Sequence, residues 1–184
     1  MGAAGLAAAA VVTAAAASPA AEVEIPAGAV QAGAGKSKPP MKAKEFLSQL
    51  DHDKIVAAIG KAEQKTSGEI RVFISRHKPE DAIAAAQAQF AHLEMHQTTE
   101  KNGVLIFVAP GARKFAIIGD SGVHSRCGDA FWRDVAAEMT GRFKKGEFTS
   151  GILHGIEKAG DLLARHFPHK PDDKNELPDD IAHD

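Results

Sequence analysis

The residues best suited to chemistry in this sequence are acidic and amide side chains next to predicted strand and helix ends: Glu69, Glu100, Asn102, Asp120 and Asp129. Their oxygens are hard ligands that suit Ca²⁺ or Mg²⁺ rather than zinc. Glycines among them let loop backbone come close and offer carbonyl oxygens, namely Gly103, Gly119, Gly122 and Gly128. The same residue types are also common in turns and helix caps for purely local reasons, so both interpretations stay open.

A second set of residues is basic and borders the other ends of the same predicted strands: Arg76, His77, Lys78, Arg113 and Lys114. Basic groups beside a helix start attract phosphate or carboxylate. The pattern therefore indicates an anion-binding site, for which Arg76, His77 and Arg113 are the candidates. A solvated charged surface is the alternative, because runs of charge usually serve solubility.

Short apolar segments predict three strands, at residues 69–76, 104–109 and 114–119. Helices are predicted after Asp51, which would cap the first turn, and from Pro79. A helix between the first two strands favours a parallel pair, and the turn at 110–113 makes the third strand return as a hairpin. Two amphipathic helices follow, the first beginning near Gly128 after a turn at 120–122, with Gly146 between them. The predicted fold is α/β, a three-layer α/β/α sandwich with a small mixed β-sheet.

This topology decides which loops meet. Parallel strands start at the same edge of a sheet, so Glu69 and Asn102 are expected side by side. The third strand runs the opposite way and delivers Asp120 to that edge, with Asp129 just beyond. The basic residues are expected at the opposite edge.

Length, charge and cysteine content limit the class of protein. A chain of 184 residues suits one domain, and a formal net charge of -2 provides no basic surface for nucleic acid. The single Cys127 excludes an internal disulfide and a zinc site built on several thiolates. No stretch is apolar enough for an integral membrane segment. We divide the chain into an alanine-rich extension (1–40), a domain (41–167) and a polar acidic tail (168–184) that Leu177 and Ile181 would attach to the domain surface.

The alanine-rich extension contains no aromatic residue, and so it buries too little apolar surface to offset its ordering entropy. We expect it to be disordered. Residues 1–20 acting as an export signal, or a start at Met41, are the alternatives. The lone cysteine fits a cytoplasmic protein, and an active signal would place the protein in the periplasm.

Four segments together resemble the TPM domain family, often labelled TPM phosphatase: TSGEIRV at 66–72, NGVLI at 102–106, GDSG at 119–122 and GEFTSGI at 146–152. The tail sequence PDDKNELP at 171–178 is similar to that of compact stand-alone bacterial members. The resemblance implies an α/β/α sandwich with a divalent cation at the acidic edge. Carried onto this chain, it implies Asn102, Asp120, Asp129 and Glu69 as metal ligands.

Two functions follow from this resemblance, because some members are credited with acid phosphatase activity and others with calcium binding or protein interaction. We favour a module that binds Ca²⁺ or Mg²⁺ and through it an unidentified protein partner. The alternative is a metal-dependent acid phosphatase acting on a small phosphate ester. Hydrolysis needs a positioned nucleophile and charge stabilisation at the leaving oxygen, whereas the predicted basic residues lie at the opposite edge.

Overall fold

The computed structural model describes residues 40–169 and 180–184, together with the backbone of residues 21–24. The strands are β1 (Ala21–Glu24), β2 (Ile70–Ile74), β3 (Val104–Ala109), β4 (Lys114–Gly119) and β5 (Ile181–His183). The helices are α1 (Ala43–Ser48), α2 (His52–Glu63), α3 (Ala82–His92), α4 (Ser121–Lys144) and α5 (Phe148–His166), with a short 3₁₀ helix at Met95–Gln97.

The strands form one mixed sheet in the order β1-β4-β3-β2-β5. The central pair β2–β3 is parallel and β3–β4 is an antiparallel hairpin, as the sequence predicted. Every residue of β2 and β3 is buried, because helices cover both faces of the sheet. This burial explains why both strands are continuous apolar runs rather than alternating ones.

Alternate residues of the strands enter two separate cores. Val72, Ile106 and Ile117 pack with buried residues of α2, α4 and α5. Phe73 and Phe107 face the other way and pack with α3, their rings stacked with centroids 5.8 Å apart. The two cores on either side of the sheet confirm the predicted three-layer α/β/α sandwich.

Helix starts agree with the sequence in one case and differ in two. Asp51 caps α2 by accepting a hydrogen bond from Lys54 N–H, as predicted. Helix α3 begins at Ala82 rather than at Pro79, because the Asp81 carboxylate caps it by accepting from Ala84 N–H. The predicted turn at 120–122 is the capped start of α4, and this helix is interrupted at Gly128, where φ is 67° and ψ is -179°. The expected helix start near Gly128 therefore corresponds to an internal break.

The two outer strands were not predicted. Strand β1 lies within the alanine-rich extension and pairs antiparallel with β4. Strand β5 lies within the acidic tail and pairs parallel with β2, and its Ile181 is buried. Segments this short carry no periodicity, and pairing with a distant strand decides their conformation. The rest of residues 1–39, and residues 170–179 with Leu177, lie outside the described part of the chain.

Across the described ranges, no helix combines the length and the apolar character that crossing a bilayer requires.

Alanine substitutions at Gly128 and Gly141 of α4 test the helix break, because a Cβ added at either position would meet no atom within 4 Å. Gly128→Ala places a side chain at positive φ, and we expect it to lower the free energy of unfolding by about 1–3 kcal/mol. Gly141→Ala lies in regular helix and should raise it by about 0.5–1 kcal/mol. Urea denaturation measures both. Equal effects of the two substitutions would contradict the break at Gly128.

Candidate functional site

Three loops meet at the edge where β2 and β3 begin and β4 ends. The backbone N–H of Asp120 donates to Gly103 O at 2.9 Å. The side-chain amide of Asn102 donates to Ser67 O at 3.0 Å and lies 3.2 Å from Ser67 Oγ. Ser67 Oγ in turn donates to Glu100 Oε2 at 2.7 Å. We call these five residues, Ser67, Glu100, Asn102, Gly103 and Asp120, the acidic rim.

The first turn of α4 sits directly on the loop before β3. A Cβ added to Gly122 would lie 2.4 Å from Glu100 O and 2.6 Å from Lys101 O, both of them backbone atoms. Only glycine therefore allows α4 to approach these carbonyls so closely. This close approach gives the last glycine of the GDSG segment a structural role at the rim.

Four buried polar atoms at or beside the acidic rim have no hydrogen-bond partner among the described residues: Asn102 Oδ1, Asp120 Oδ2, His124 Nδ1 and Trp132 Nε1. Asn102 is only 1% exposed. The Trp132 ring packs against Gly119, where an added Cβ would lie 2.6 Å from ring atom Cζ2. Native buried polar groups are nearly always hydrogen-bonded, so this group of atoms calls for water or a ligand.

The other two predicted metal ligands, Glu69 and Asp129, lie outside the hydrogen-bonded residues of the acidic rim. Glu69 is buried, and the alternation along β2 places its side chain with Arg71 on the face that packs against α3. Asp129 follows the break in α4, and its side chain is 63% exposed. Its Oδ1 lies 3.8 Å from Nε2 of His124, whose backbone N–H donates to Asp120 O.

Carboxylates alone do not make a metal centre here. Within the part of the chain that the structure describes, no three His, Cys, Asp or Glu side chains converge as a metal site would require. A cation at the acidic rim would therefore depend on the Asn102 amide oxygen and on backbone carbonyls besides Asp120.

At the opposite edge, two of the predicted anion-binding residues contact a carboxylate of this chain. Asp184 Oδ1 accepts from the backbone N–H of Arg76 at 2.6 Å, and Oδ2 accepts from Ser75 Oγ at 3.1 Å. The side chains of Arg76 and His77 lie 3.6 Å and 3.2 Å from the same carboxylate. We call Ser75, Arg76 and His77 the carboxylate site. The third predicted residue, Arg113, lies in the β3–β4 turn at this edge with φ of 56°.

The lone cysteine carries no reactive thiolate. Burial raises the pKa of Cys127 to about 11, and Asp129 adds to the shift. The thiol therefore stays protonated at neutral pH, as expected of a structural cysteine.

Comparison with known protein families matches residues 41–162 to the TPM domain. The chain belongs to the TPM domain family. It is also similar to the BA42 protein of the psychrophilic bacterium Bizionia argentinensis, whose structure was solved by NMR. The two are 42% identical, with a TM-score of 0.67 over 72% of this chain and 92% of BA42. No curated protein matches the chain. The family and the fold inferred from the sequence are thus confirmed.

Sequence reasoning missed several residues that this TPM domain brings together. Ser67 lies within the TSGEIRV segment that carried the family resemblance, so that segment contained a usable signal. His124 lay before the predicted helix start and Trp132 looked like an ordinary helix residue, since only the packing of α4 on β4 shows their buried nitrogens. Asp184 carried no signal, because 108 residues separate it from Arg76.

The contacts of Asp184 predict how its attachment depends on pH. Partial burial raises the pKa of this carboxyl, but hydrogen bonds from Arg76 N–H and Ser75 Oγ and the nearby His77 outweigh it, so the pKa lies below the ordinary 3.8. The stability that the carboxylate adds is therefore complete above pH 3.8 and lost as the pH falls through the lower folded pKa.

We expect the NMR shift of the Arg76 amide to titrate with a midpoint below 3.8. Asp184→Asn should abolish this titration, and Asp81→Asn, at the N-cap of α3, serves as the control that leaves it unchanged. A midpoint at or above the ordinary value would show that the carboxylate is not bound in solution.

Proposed function

We propose that this TPM domain binds a hard divalent cation, Ca²⁺ or Mg²⁺, at the acidic rim and that the bound ion mediates contact with a protein partner. One observation carries the proposal: Asn102 Oδ1 and Asp120 Oδ2 are buried acceptors with no hydrogen-bond donor among the described residues. Leaving such an atom unsatisfied costs about 1–3 kcal/mol.

A bound cation would satisfy these two acceptors better than a rearrangement of the side chains would. Both are acceptors, so they cannot satisfy each other, whereas a cation lying between them would satisfy both. The other Asp120 oxygen is already used, since Oδ1 accepts from Ser121 N–H at 2.6 Å. Amide and carboxylate oxygens are the ligands that Ca²⁺ and Mg²⁺ prefer. The indole N–H of Trp132 would then donate to a water or carboxylate oxygen on the ion.

The incomplete ligand set is the reason for proposing a partner. Six to eight oxygen ligands, the usual number around Ca²⁺, exceed what Asn102 and Asp120 supply with nearby carbonyls. The remaining positions are left to water, to the predicted ligands Glu69 and Asp129 after rearrangement, or to a carboxylate of another protein. An ion whose coordination is completed by a further ligand suits a binding module.

The phosphatase alternative would need the predicted anion-binding residues at the acidic rim, and in the described part of the chain they do not lie there. Phosphoryl transfer needs positive groups around the phosphate as well as an ion. Arg76 and His77 contact Asp184 at the opposite edge instead. The geometry of these residues therefore favours binding over hydrolysis.

Titration of Ca²⁺ and of Mg²⁺ into the labelled protein tests the cation site. We expect saturable shifts of the Asn102 and Asp120 amides. Asp120→Asn should weaken the affinity for the cation tenfold or more, which is a loss of at least ~1.4 kcal/mol in binding free energy. A cation at 100 times its dissociation constant should also stabilise the protein by about 2.7 kcal/mol.

Asp81→Asn is the matched control, because Asp81 caps α3 as Asp120 caps α4 but lies away from the acidic rim. Metal-induced shifts that survive Asp120→Asn, or that disappear with Asp81→Asn, would refute the site. Phosphomonoester hydrolysis that requires the metal and is lost with Asp120→Asn would instead establish the phosphatase.

A further inference from the structure

We propose that the side of β2 that pairs with β5 is a binding groove for an extended segment with an aliphatic residue and an aspartate three positions later. Two copies of the chain exchange this segment, each copy inserting it into the groove of the other. In this structure the chain's own residues 180–184 occupy the groove. We call these residues the acidic segment, and we define the edge groove as the backbone of Val72–Ile74 together with the carboxylate site.

Three kinds of contact recognise the acidic segment. Its backbone pairs with β2 in the register Val72↔Ile181, Phe73↔Ala182 and Ile74↔His183. The Ile181 side chain is 4% exposed and belongs to the core that α2, α4 and α5 share. Strand addition of this kind derives affinity from main-chain bonds and specificity from side-chain pockets.

The carboxylate site supplies the third kind of contact. Ser75 is 3% exposed, and its hydroxyl donates to Asp184 Oδ2 while it accepts from His77 N–H. With the Arg76 N–H, it forms a pair of donors around one carboxylate, and the exposed side chains of Arg76 and His77 lie close to the same carboxylate. The groove therefore distinguishes an aspartate at this position from a neutral residue.

The acidic segment is short, which makes exchange feasible. The strand has three residues, and the remaining ion pair, His52 with Asp180 at 3.1 Å, joins two side chains that are more than half exposed. Such short edge elements open locally at low free energy. Ten residues, 170–179, separate the segment from the described domain, and a chain of that length spans up to about 36 Å.

A second copy is the occupant that this arrangement favours, because it carries a segment already matched to the groove. The linked segment competes at an effective concentration in the millimolar range, so the unchanged protein should exchange only near that concentration. Charge reversal on one side of the contact removes this internal competition without altering a buried residue.

The test mixes two full-length variants. Arg76→Glu/His77→Glu has an unsuitable groove and an unchanged segment, while Asp184→Lys has an unchanged groove and an unsuitable segment. Each alone should stay monomeric in sedimentation velocity. The equimolar mixture should form a 1:1 dimer at concentrations at least tenfold lower than the unchanged protein needs.

Combining all three substitutions in one chain restores charge complementarity within that chain, so this control should be monomeric when mixed with either variant. A mixture of the two variants that stays monomeric up to millimolar concentration overturns exchange between copies. A mixture that dimerises no better than either variant alone overturns it as well.

A peptide of residues 180–184, added to the isotope-labelled Asp184→Lys protein, provides a second measurement. It should shift the Arg76 and His77 amides, and a peptide with asparagine in place of Asp184 should bind about tenfold more weakly. Equal binding of the two peptides, or no shifts at all, would refute the groove itself.

Discussion

The register between β2, β3 and β4 is the constraint on which both candidate sites depend. Ile70 pairs with Val104, and Val104 pairs with Gly119 on its other side. This alignment places the residues before β2 and β3 beside those after β4, and a shift of one residue would turn every side chain to the opposite face. The acidic rim exists because three backbones are aligned, not because its residues are close in sequence.

The two hydrophobic cores hold that register in place. Because β2 and β3 are buried on both faces, a slip of one residue would move the side chains of each core into the other and disturb the packing of both. This rigidity also explains how polar atoms stay buried at the rim. Asn102 is held by Ser67, and Trp132 by its packing on Gly119, so neither can turn to water to satisfy its remaining polar atom.

Most of the central fold could be predicted from the sequence, because apolar periodicity and turn residues act locally. The runs that became β3 and β4 and the stripes of the last two helices carried their own signals. The outer strands did not, since β5 is three residues long and depends on pairing with β2. The start of α4 was missed because Asp120, Ser121 and Gly122 suit a turn as well as a helix cap. The unpaired atoms of Asn102 and Asp120 follow from tertiary contacts that no local pattern contains.

The sheet separates its polar chemistry by sign. Among the described residues, Asn102 Oδ1 and Asp120 Oδ2 of the acidic rim have no hydrogen-bond donor, whereas the donors of the carboxylate site bind Asp184. The five residues of β2 lie between them, a distance of about 17 Å. The acidic rim and the carboxylate site share no residue, whereas a reaction that needs an ion and several positive groups around one phosphate would have to bring the two edges together.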